Sequence, residues 1–173
     1  MKLKLSLCMS AVLMMQSAFA ENLQCHQDYK NIISNEMIKL GTAFNTGDLK
    51  YIEDKTDSSL INYAGGAKAY ENMLEQSVSM LKKSNIKVTS VETSIPQDNY
   101  IVGNNELCFV PKQLTLALNG KQQPLTQSFM LAVRPLTSKE WKYIDGTGFK
   151  NKPELLYILF PDFPKTIKVS VLN

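Results

Sequence analysis

The sequence predicts a single α+β domain, and three features indicate this class. A long antiparallel hairpin is predicted around the Asn119-Gly120 dipeptide, because apolar residues repeat at every second position on both sides of it. Helical periodicity precedes the hairpin between about residues 29 and 83. A sheet with one apolar face needs a helical layer to cover it. The 173 residues show no internal repeat and no linker that would separate two domains.

The predicted hairpin has one buried face. Its arms run from Leu107 to Leu118 and from Leu125 to Arg134. The apolar residues hold even positions in the first arm and odd positions in the second: Cys108, Val110, Leu114, Leu116 and Leu118, then Leu125, Phe129, Leu131 and Val133. A loop of two or four residues pairs even positions with odd ones, so both sets should share one face. Pro111 interrupts the first arm and predicts an edge position or a bulge there.

The first twenty residues have the features of a cleaved secretory signal. Lys2 and Lys4 precede an uncharged run from Leu5 to Met15, and small residues precede the expected cut after residue 20. The run is too short to cross a bilayer as a helix, although it could also be a buried first helix. We predict a signal peptide at residues 1–20, a mature domain at residues 21–173, and export to the periplasm or the medium.

Export changes how the cysteines are interpreted, because thiols oxidise outside the cytoplasm. Cys8 leaves with the signal, so Cys25 and Cys108 remain and only one intramolecular pairing is open to them. A bridge between them closes a loop of about 84 residues and contributes roughly 4 to 5 kcal/mol on the chain-entropy account. The alternative is a buried thiol at Cys108 and an exposed one at Cys25.

Three helical segments are predicted in the first half of the mature chain. The first has an apolar stripe at three- and four-residue steps, made of Tyr29, Ile32, Ile33, Met37, Leu40 and Phe44. Its polar face holds Asp28, Lys30, Asn35, Glu36 and Lys39. Gly47 should end this helix and Asp48 should cap a short second one. Leu60 to Tyr63 is predicted to be extended, and a third helix is predicted from Ala67 to about Lys83.

The second half is predicted to be a meander of strands followed by a tail. Residues 86–95 and 100–102 precede the hairpin, and Trp141 to Asp145 follows it, bounded by Gly146. The C-terminal extension, residues 151–173, should begin with a short helix after Pro153 and end in an edge strand from Ile167 to Val171. The tail helix is apolar nearly all round, so it should be buried.

The order of elements resembles the nuclear transport factor 2-like superfamily, which includes SnoaL-like and ketosteroid-isomerase-like proteins. The resemblance covers about residues 29 to 148 and is carried by Ala43-Phe44-Asn45-Thr46-Gly47-Asp48, Ala64-Gly65-Gly66 and Trp141-Lys142-Tyr143-Ile144-Asp145-Gly146. It implies a cone-shaped, cystatin-like roll in which a curved antiparallel sheet wraps around a helix and leaves a pocket at the open end. The tail helix would fill that open end or lie in a homodimer interface, and we expect the former.

The resemblance also implies the candidate site residues. Its isomerase branch uses a carboxylate base that faces a hydrogen-bond donor in an apolar pocket. Asp145 is the candidate catalytic carboxylate, and a turn residue is its alternative role. Five aromatic residues are the candidate pocket lining: Tyr51, Tyr63, Tyr70, Trp141 and Tyr143. These five are otherwise expected to be core residues whose polar ends reach solvent.

Several other functions are not supported by the sequence. Loss of two lysines with the signal leaves 17 basic and 16 acidic residues, so a basic surface for nucleic acid is not expected. No further segment is long and apolar enough to span a membrane. His26 is the only histidine, which argues against a zinc site. A Ser-His-Asp triad is not expected either, because the sequence has no Gly-x-Ser-x-Gly elbow for the nucleophile. No metal and no cofactor are therefore expected.

Three functional hypotheses follow. The first is an exported, non-catalytic domain that binds a small apolar molecule or a partner protein. The second is an enzyme of the isomerase or cyclase kind that uses Asp145. The third is an inhibitor or immunity-type protein that covers a site on another envelope protein. The fold alone does not choose among them.

Overall fold

The computed structural model describes residues 23–172 as helices on one face of a curled antiparallel sheet and a C-terminal tail on the other. The helices that precede the sheet are α1 (Cys25–Asp28), a π-helical segment (Tyr29–Ile33), α2 (Ser34–Thr46), α3 (Leu49–Lys55), α4 (Ser58–Tyr63) and α5 (Ala67–Lys83). The strands are β1 (Ile86–Thr93), β2 (Asp98–Val102), β3 (Asn105–Leu118), β4 (Lys121–Gln122), β5 (Thr126–Pro135) and β6 (Lys142–Asp145). The tail contains α6 (Thr147–Asn151), α7 (Leu155–Leu159) and a 3₁₀ turn at Ser170–Leu172. The predicted α+β class, with a half-barrel sheet and a short C-terminal helix, is confirmed.

The sheet is organised around β3. Its order is β1-β3-β5-β6, and β2 and β4 also pair with β3. The predicted turn at Asn119-Gly120 is present, with φ angles of 50° and 77°, as a two-residue hairpin turn requires. The outer edge of β6 is covered by the chain between α3 and α4, where the amide of Asp57 donates to the carbonyl of Tyr143 at 3.2 Å. On β1, the side-chain amide of Asn45 donates to and accepts from the backbone of Val88 at 2.7 and 2.9 Å.

The prediction of one buried sheet face is wrong, because the sheet is buried on both faces. β3 and β5 pair even positions with even ones, as in Cys108 with Ala132, and odd positions with odd ones, as in Phe109 with Leu131. Even residues face a core under the helices, called here the helix-side core: Cys108, Val110, Met130 and Ala132 with Ile33, Met37 and Leu40. Odd residues face a second core, the tail-side core: Leu107, Phe109, Phe129, Leu131 and Val133 with Phe149, Leu156, Phe160 and Phe163.

The register differs from the prediction because one extra residue lies between β4 and β5. The hairpin begins with Leu118 opposite Lys121, which pairs an even position with an odd one. By the start of β5, Leu114 lies opposite Thr126, one residue later than the turn alone would give. Pro124 and the exposed Leu125 are in the intervening segment. A proline cannot donate to a ladder, so an irregularity is expected at this point.

Pro111 lies in the interior of β3 and pairs regularly with Phe129, so the predicted edge position or bulge is also wrong. The other side of β3 explains how the proline is tolerated. β1 pairs with residues 112–118 of β3 and β2 pairs with residues 105–109, and the two strands meet beside Pro111. The carbonyl of Pro111 accepts from the amide of Ser94 there. Because the N and C=O of a strand residue point to the same side, the missing N–H falls in this gap.

The tail packs on the sheet face that points away from the helices. The prediction that the tail helix fills the open end of a cone is therefore wrong. Leu156 and Phe160 are buried in the tail-side core, whereas Ile158 is 53% exposed. Phe163 makes edge-to-face contacts with Tyr100 and Phe109, at centroid distances of 5.6 and 6.1 Å. The predicted final strand is absent, since residues 167–169 have no regular structure before the Ser170–Leu172 turn. The large apolar content of the tail is therefore accounted for by this second core.

One other element was predicted wrongly. Residues 60–63, predicted to be extended, belong to α4. The side chain of Asp57 accepts from the amide of Ser59 at 2.9 Å and caps this helix. By contrast, α5 has the predicted bounds, and Gly47 and Asp48 end α2 and cap α3 as predicted.

A disulfide and a buried ion pair attach the N-terminal helix to the sheet. Cys25 is bonded to Cys108, with the two Cα atoms 6.2 Å apart. The amide of Cys25 donates to the carboxylate of Glu106 at 3.0 Å, and the guanidinium of Arg134 donates to the same carboxylate from β5. Both charged side chains are buried, and a buried pair of this kind requires such additional hydrogen bonds to offset its loss of hydration.

The predicted signal peptide, residues 1–20, lies outside the described residues. Within residues 23–172, none of the helices combines the length and the apolar character needed to cross a membrane.

Replacing both bridged cysteines (Cys25→Ala with Cys108→Ala) should lower the free energy of unfolding by about 4 kcal/mol, because the bridge restricts a long loop of the unfolded chain. Urea unfolding followed by fluorescence of the single tryptophan measures this. A reducing agent should lower the midpoint of the wild type and leave that of the variant unchanged. Equal midpoints for the variant and the oxidised wild type would contradict a stabilising bridge.

The two-core arrangement predicts that Phe160→Ala lowers the free energy of unfolding by about 3 to 5 kcal/mol, as expected for a buried aromatic side chain. Ile158→Ala, two residues away and largely exposed, is the matched control and should change it by less than about 0.5 kcal/mol. Similar small effects for both variants in chemical denaturation would show that the tail is not part of the folded core.

Candidate functional site

Asp145 forms an ion pair at the end of β6. Its carboxylate accepts from the ammonium of Lys112 and from the amide of Thr147, the latter at 2.8 Å. The Lys112 side chain is 3% exposed and that of Asp145 is 52% exposed. Burial opposes ionisation of Asp145, but Lys112 and Thr147 outweigh it and hold the pKa of this carboxyl below its ordinary value. A carboxylate in this state is a weak base, and a catalytic role for Asp145 stays a prediction.

Three of the predicted pocket aromatics have other partners or other surroundings. Tyr70 is buried, and its hydroxyl shares a 2.9 Å hydrogen bond with that of Thr56. Burial raises the pKa of Tyr70. The Trp141 indole donates to the carboxylate of Asp28 at 2.8 Å, and the guanidinium of Arg134 lies 5.4 Å from its ring centroid. Tyr63 is 53% exposed on α4.

Tyr51 is joined to a carboxylate that the sequence reasoning missed. Its hydroxyl donates to Glu36, which also accepts from Lys39 at 3.1 Å and lies 3.3 Å from the ammonium of Lys55. The sequence predicts Glu36 on the polar face of the first helix, yet the residue is buried. Its position gives a signal that could have revealed this, since it lies three residues after Ile33, at the border of the apolar stripe.

We call Glu36 and its three donors, Tyr51, Lys39 and Lys55, the Glu36 cluster. This cluster is held in one protonation state. Burial opposes ionisation of Glu36, but the donors Tyr51, Lys39 and Lys55 outweigh it and lower the pKa of Glu36. Burial and the adjacent Glu36 carboxylate raise the pKa of Tyr51 well above its ordinary value. At neutral pH the cluster therefore consists of a carboxylate and a neutral phenol. Neither group is poised to transfer a proton.

Tyr143 lies behind this cluster on the helix-side face of β6. The residue is 4% exposed, and its buried hydroxyl has no hydrogen-bond partner within residues 23–172. Burial, followed by the electrostatic effects of Glu36, Tyr51 and Asp28, raises the pKa of Tyr143 far above its ordinary range. The phenol thus stays protonated and remains a donor. A buried tyrosine hydroxyl normally finds an acceptor, so this one requires an explanation.

A shallow apolar groove lies on the solvent side of Tyr51. It has a volume of about 260 Å³ and runs between α2 and α3; we call it the α2–α3 groove, lined by Ile38, Lys39, Thr42, Ala43, Asp48 and Tyr51. Two further grooves border the same helix, of about 270 Å³ beside β1 and about 390 Å³ beside Asn31 and Asn35, and Ile38 belongs to all three. Ile38 is 52% exposed. Of the predicted pocket residues, Tyr51 lines the α2–α3 groove, and a pocket at the open end of a cone stays a prediction.

Residues able to hold a metal are not clustered: among residues 23–172, no three His, Cys, Asp or Glu side chains are grouped as a metal site would require.

Comparison with known proteins found no matching family model, no matching curated protein and no matching solved structure.

Asp145→Asn should lower the free energy of unfolding at pH 7 by about 1 to 3 kcal/mol, because it leaves the buried Lys112 ammonium without its counter-ion. The loss should be smaller than for a fully buried pair because Asp145 is half exposed. Asp54→Asn is the control: Asp54 pairs with Lys50 at 3.5 Å on the surface and should contribute less than about 0.5 kcal/mol.

The pH dependence of the same variant tests whether the ionised form of Asp145 stabilises the fold. Because the folded-state pKa of Asp145 is lowered, its stabilisation is complete above the unfolded pKa of about 4 and is lost as the pH falls through the folded value. The difference between wild type and Asp145→Asn, measured by urea denaturation, should therefore be constant from neutral pH to about pH 5 and shrink in stronger acid. A difference that grows on acidification would contradict this pairing.

Proposed function

We propose that this chain is an exported, non-catalytic domain that binds a small, largely apolar molecule in the α2–α3 groove. The observation that carries the proposal is the groove itself. Ile38, Ala43 and the Tyr51 ring form apolar walls, and Lys39 and Asp48 place opposite charges at the rim. A concave site with mostly apolar walls and a few polar groups is the usual form of a ligand site. At about 260 Å³ it suits a ligand smaller than a typical drug.

The absence of catalysis in this proposal rests on the two carboxylates. Asp145 is paired with Lys112, and Glu36 is held by three donors, so each has a lowered pKa. A general base that works near neutral pH needs its pKa raised toward that pH. The pKa values of Asp145 and Glu36 are both lowered, which is the opposite of this requirement. The isomerase hypothesis is therefore less well supported than binding.

Export and family membership are parts of the same proposal. The Cys25–Cys108 bridge is typical of proteins outside the cytoplasm, and it agrees with the signal features of residues 1–20. The curled antiparallel sheet over an N-terminal helix is compatible with the nuclear transport factor 2-like cone. We infer a divergent member of that superfamily, in which the tail covers the second sheet face.

A partner protein is the second candidate occupant. The three grooves around Ile38 form one continuous surface along α2, and Ile32 is also exposed on this helix. Exposed apolar surface bordered by polar residues is a feature of protein-interaction sites. This alternative requires contact across all three grooves, whereas a small molecule requires only the α2–α3 groove.

Blocking the groove tests the proposal. Thr42 is exposed and lines the groove, so Thr42→Trp should fill it and weaken binding of the uncharged fluorophore 1-aminoanthracene at least about tenfold. Asn72→Trp, on an exposed position of α5, should leave binding unchanged. Fluorescence titration measures both dissociation constants. Equal affinities for Thr42→Trp and the wild type, or no binding to the wild type, would overturn the small-molecule proposal.

A further inference from the structure

Within residues 23–172 the buried hydroxyl of Tyr143 has no acceptor, and the neighbouring carboxylates already accept from other donors. Glu36 accepts from Tyr51 and Lys39, and Asp28 accepts from the Trp141 indole. The hydroxyl is therefore a donor in a place where burial without a hydrogen bond costs about 1 to 3 kcal/mol. A bound ligand that accepts a hydrogen bond from the Tyr143 hydroxyl would remove this cost.

Tyr51 links this hydroxyl to the α2–α3 groove, because Tyr51 lines the groove and is also one of the groups that act electrostatically on Tyr143. Ala43 lines the groove and also belongs to the helix-side core that contains Tyr143. Tyr51 likewise lines the groove and packs against that core. The Tyr51 ring is only half-buried, whereas Ala43 and Tyr143 are buried. We infer that rotation of the Tyr51 ring would let a ligand in the groove approach Tyr143, and Glu36 would keep its contacts with Lys39 and Lys55.

We propose that the ligand of the α2–α3 groove carries one hydrogen-bond acceptor, a carbonyl or ether oxygen, which accepts from the Tyr143 hydroxyl while its apolar body stays in the groove. This inference rests on the proposed binding function and adds the chemical class of the ligand. The Tyr143 phenol is suited to a neutral acceptor because it stays protonated. Asp28 and Glu36, both close to it, disfavour an anionic ligand at the same point.

Two probes that differ only at the acceptor test the inference. Acetophenone and ethylbenzene are similar in size and differ by a carbonyl in place of a methylene group. Titrations of the full mature chain, followed by the backbone amide signals of the groove residues in nuclear magnetic resonance spectra, give both dissociation constants. The wild type should prefer acetophenone by roughly 2- to 10-fold, the usual effect of one net hydrogen bond. Tyr143→Phe should abolish the preference and keep the affinity for ethylbenzene.

The control and the other outcomes separate the two proposals. Tyr157→Phe, in the tail-side core, should retain the preference for acetophenone. Tyr143→Phe should also be at least as stable as the wild type, since it removes an unpaired hydroxyl, and this shows that it folds. Equal affinity of the wild type for both probes would overturn the acceptor proposal and leave groove binding intact. Failure of both probes to shift the groove amides would remove the binding function and the acceptor proposal with it.

Discussion

The pairing register between β3 and β5 is the constraint on which the rest of the structure depends. Because even residues of β3 lie opposite even residues of β5, each face of the sheet receives its own set of large apolar side chains. A shift of one residue would move each set to the opposite face. The extra residue between β4 and β5 sets this register. Two separate layers are then needed to keep the sheet from water, the N-terminal helices on one face and the tail on the other.

The two layers leave the molecule with different kinds of surface. The tail packs aromatic rings against the sheet, including the stacked rings of Phe129 and Phe149 at a centroid distance of 6.0 Å. The helical layer instead includes polar groups, with Glu36, Thr56 and the Tyr143 hydroxyl buried near the apolar side chains. Grooves with exposed apolar residues also lie along α2. Binding is therefore proposed on the helical side, where the Tyr143 hydroxyl has no hydrogen-bond partner within residues 23–172.

The sequence was sufficient for features that depend on local chemistry. The α5 helix, the turn at Asn119-Gly120 and the Cys25–Cys108 bridge follow from periodicity, a dipeptide preference and the cysteine count. The register could not be predicted, because it depends on a single irregular residue near Pro124. Residues 60–63 were misassigned since four apolar and polar residues fit a helix as well as a strand. At the candidate site, Tyr51 was named but Glu36 was missed, because a residue at the border of a helical stripe faces either side.

The most direct test of the two-core sheet is a nuclear Overhauser measurement on the ring protons of Phe163. The account predicts strong cross-peaks from this ring to Phe109 and Tyr100, whose ring centroids lie 6.1 and 5.6 Å away, because odd residues of β3 face the tail. Cross-peaks from Phe163 to Met37 or Leu74, which belong to the helix-side core, would place the tail under the helices and contradict the register.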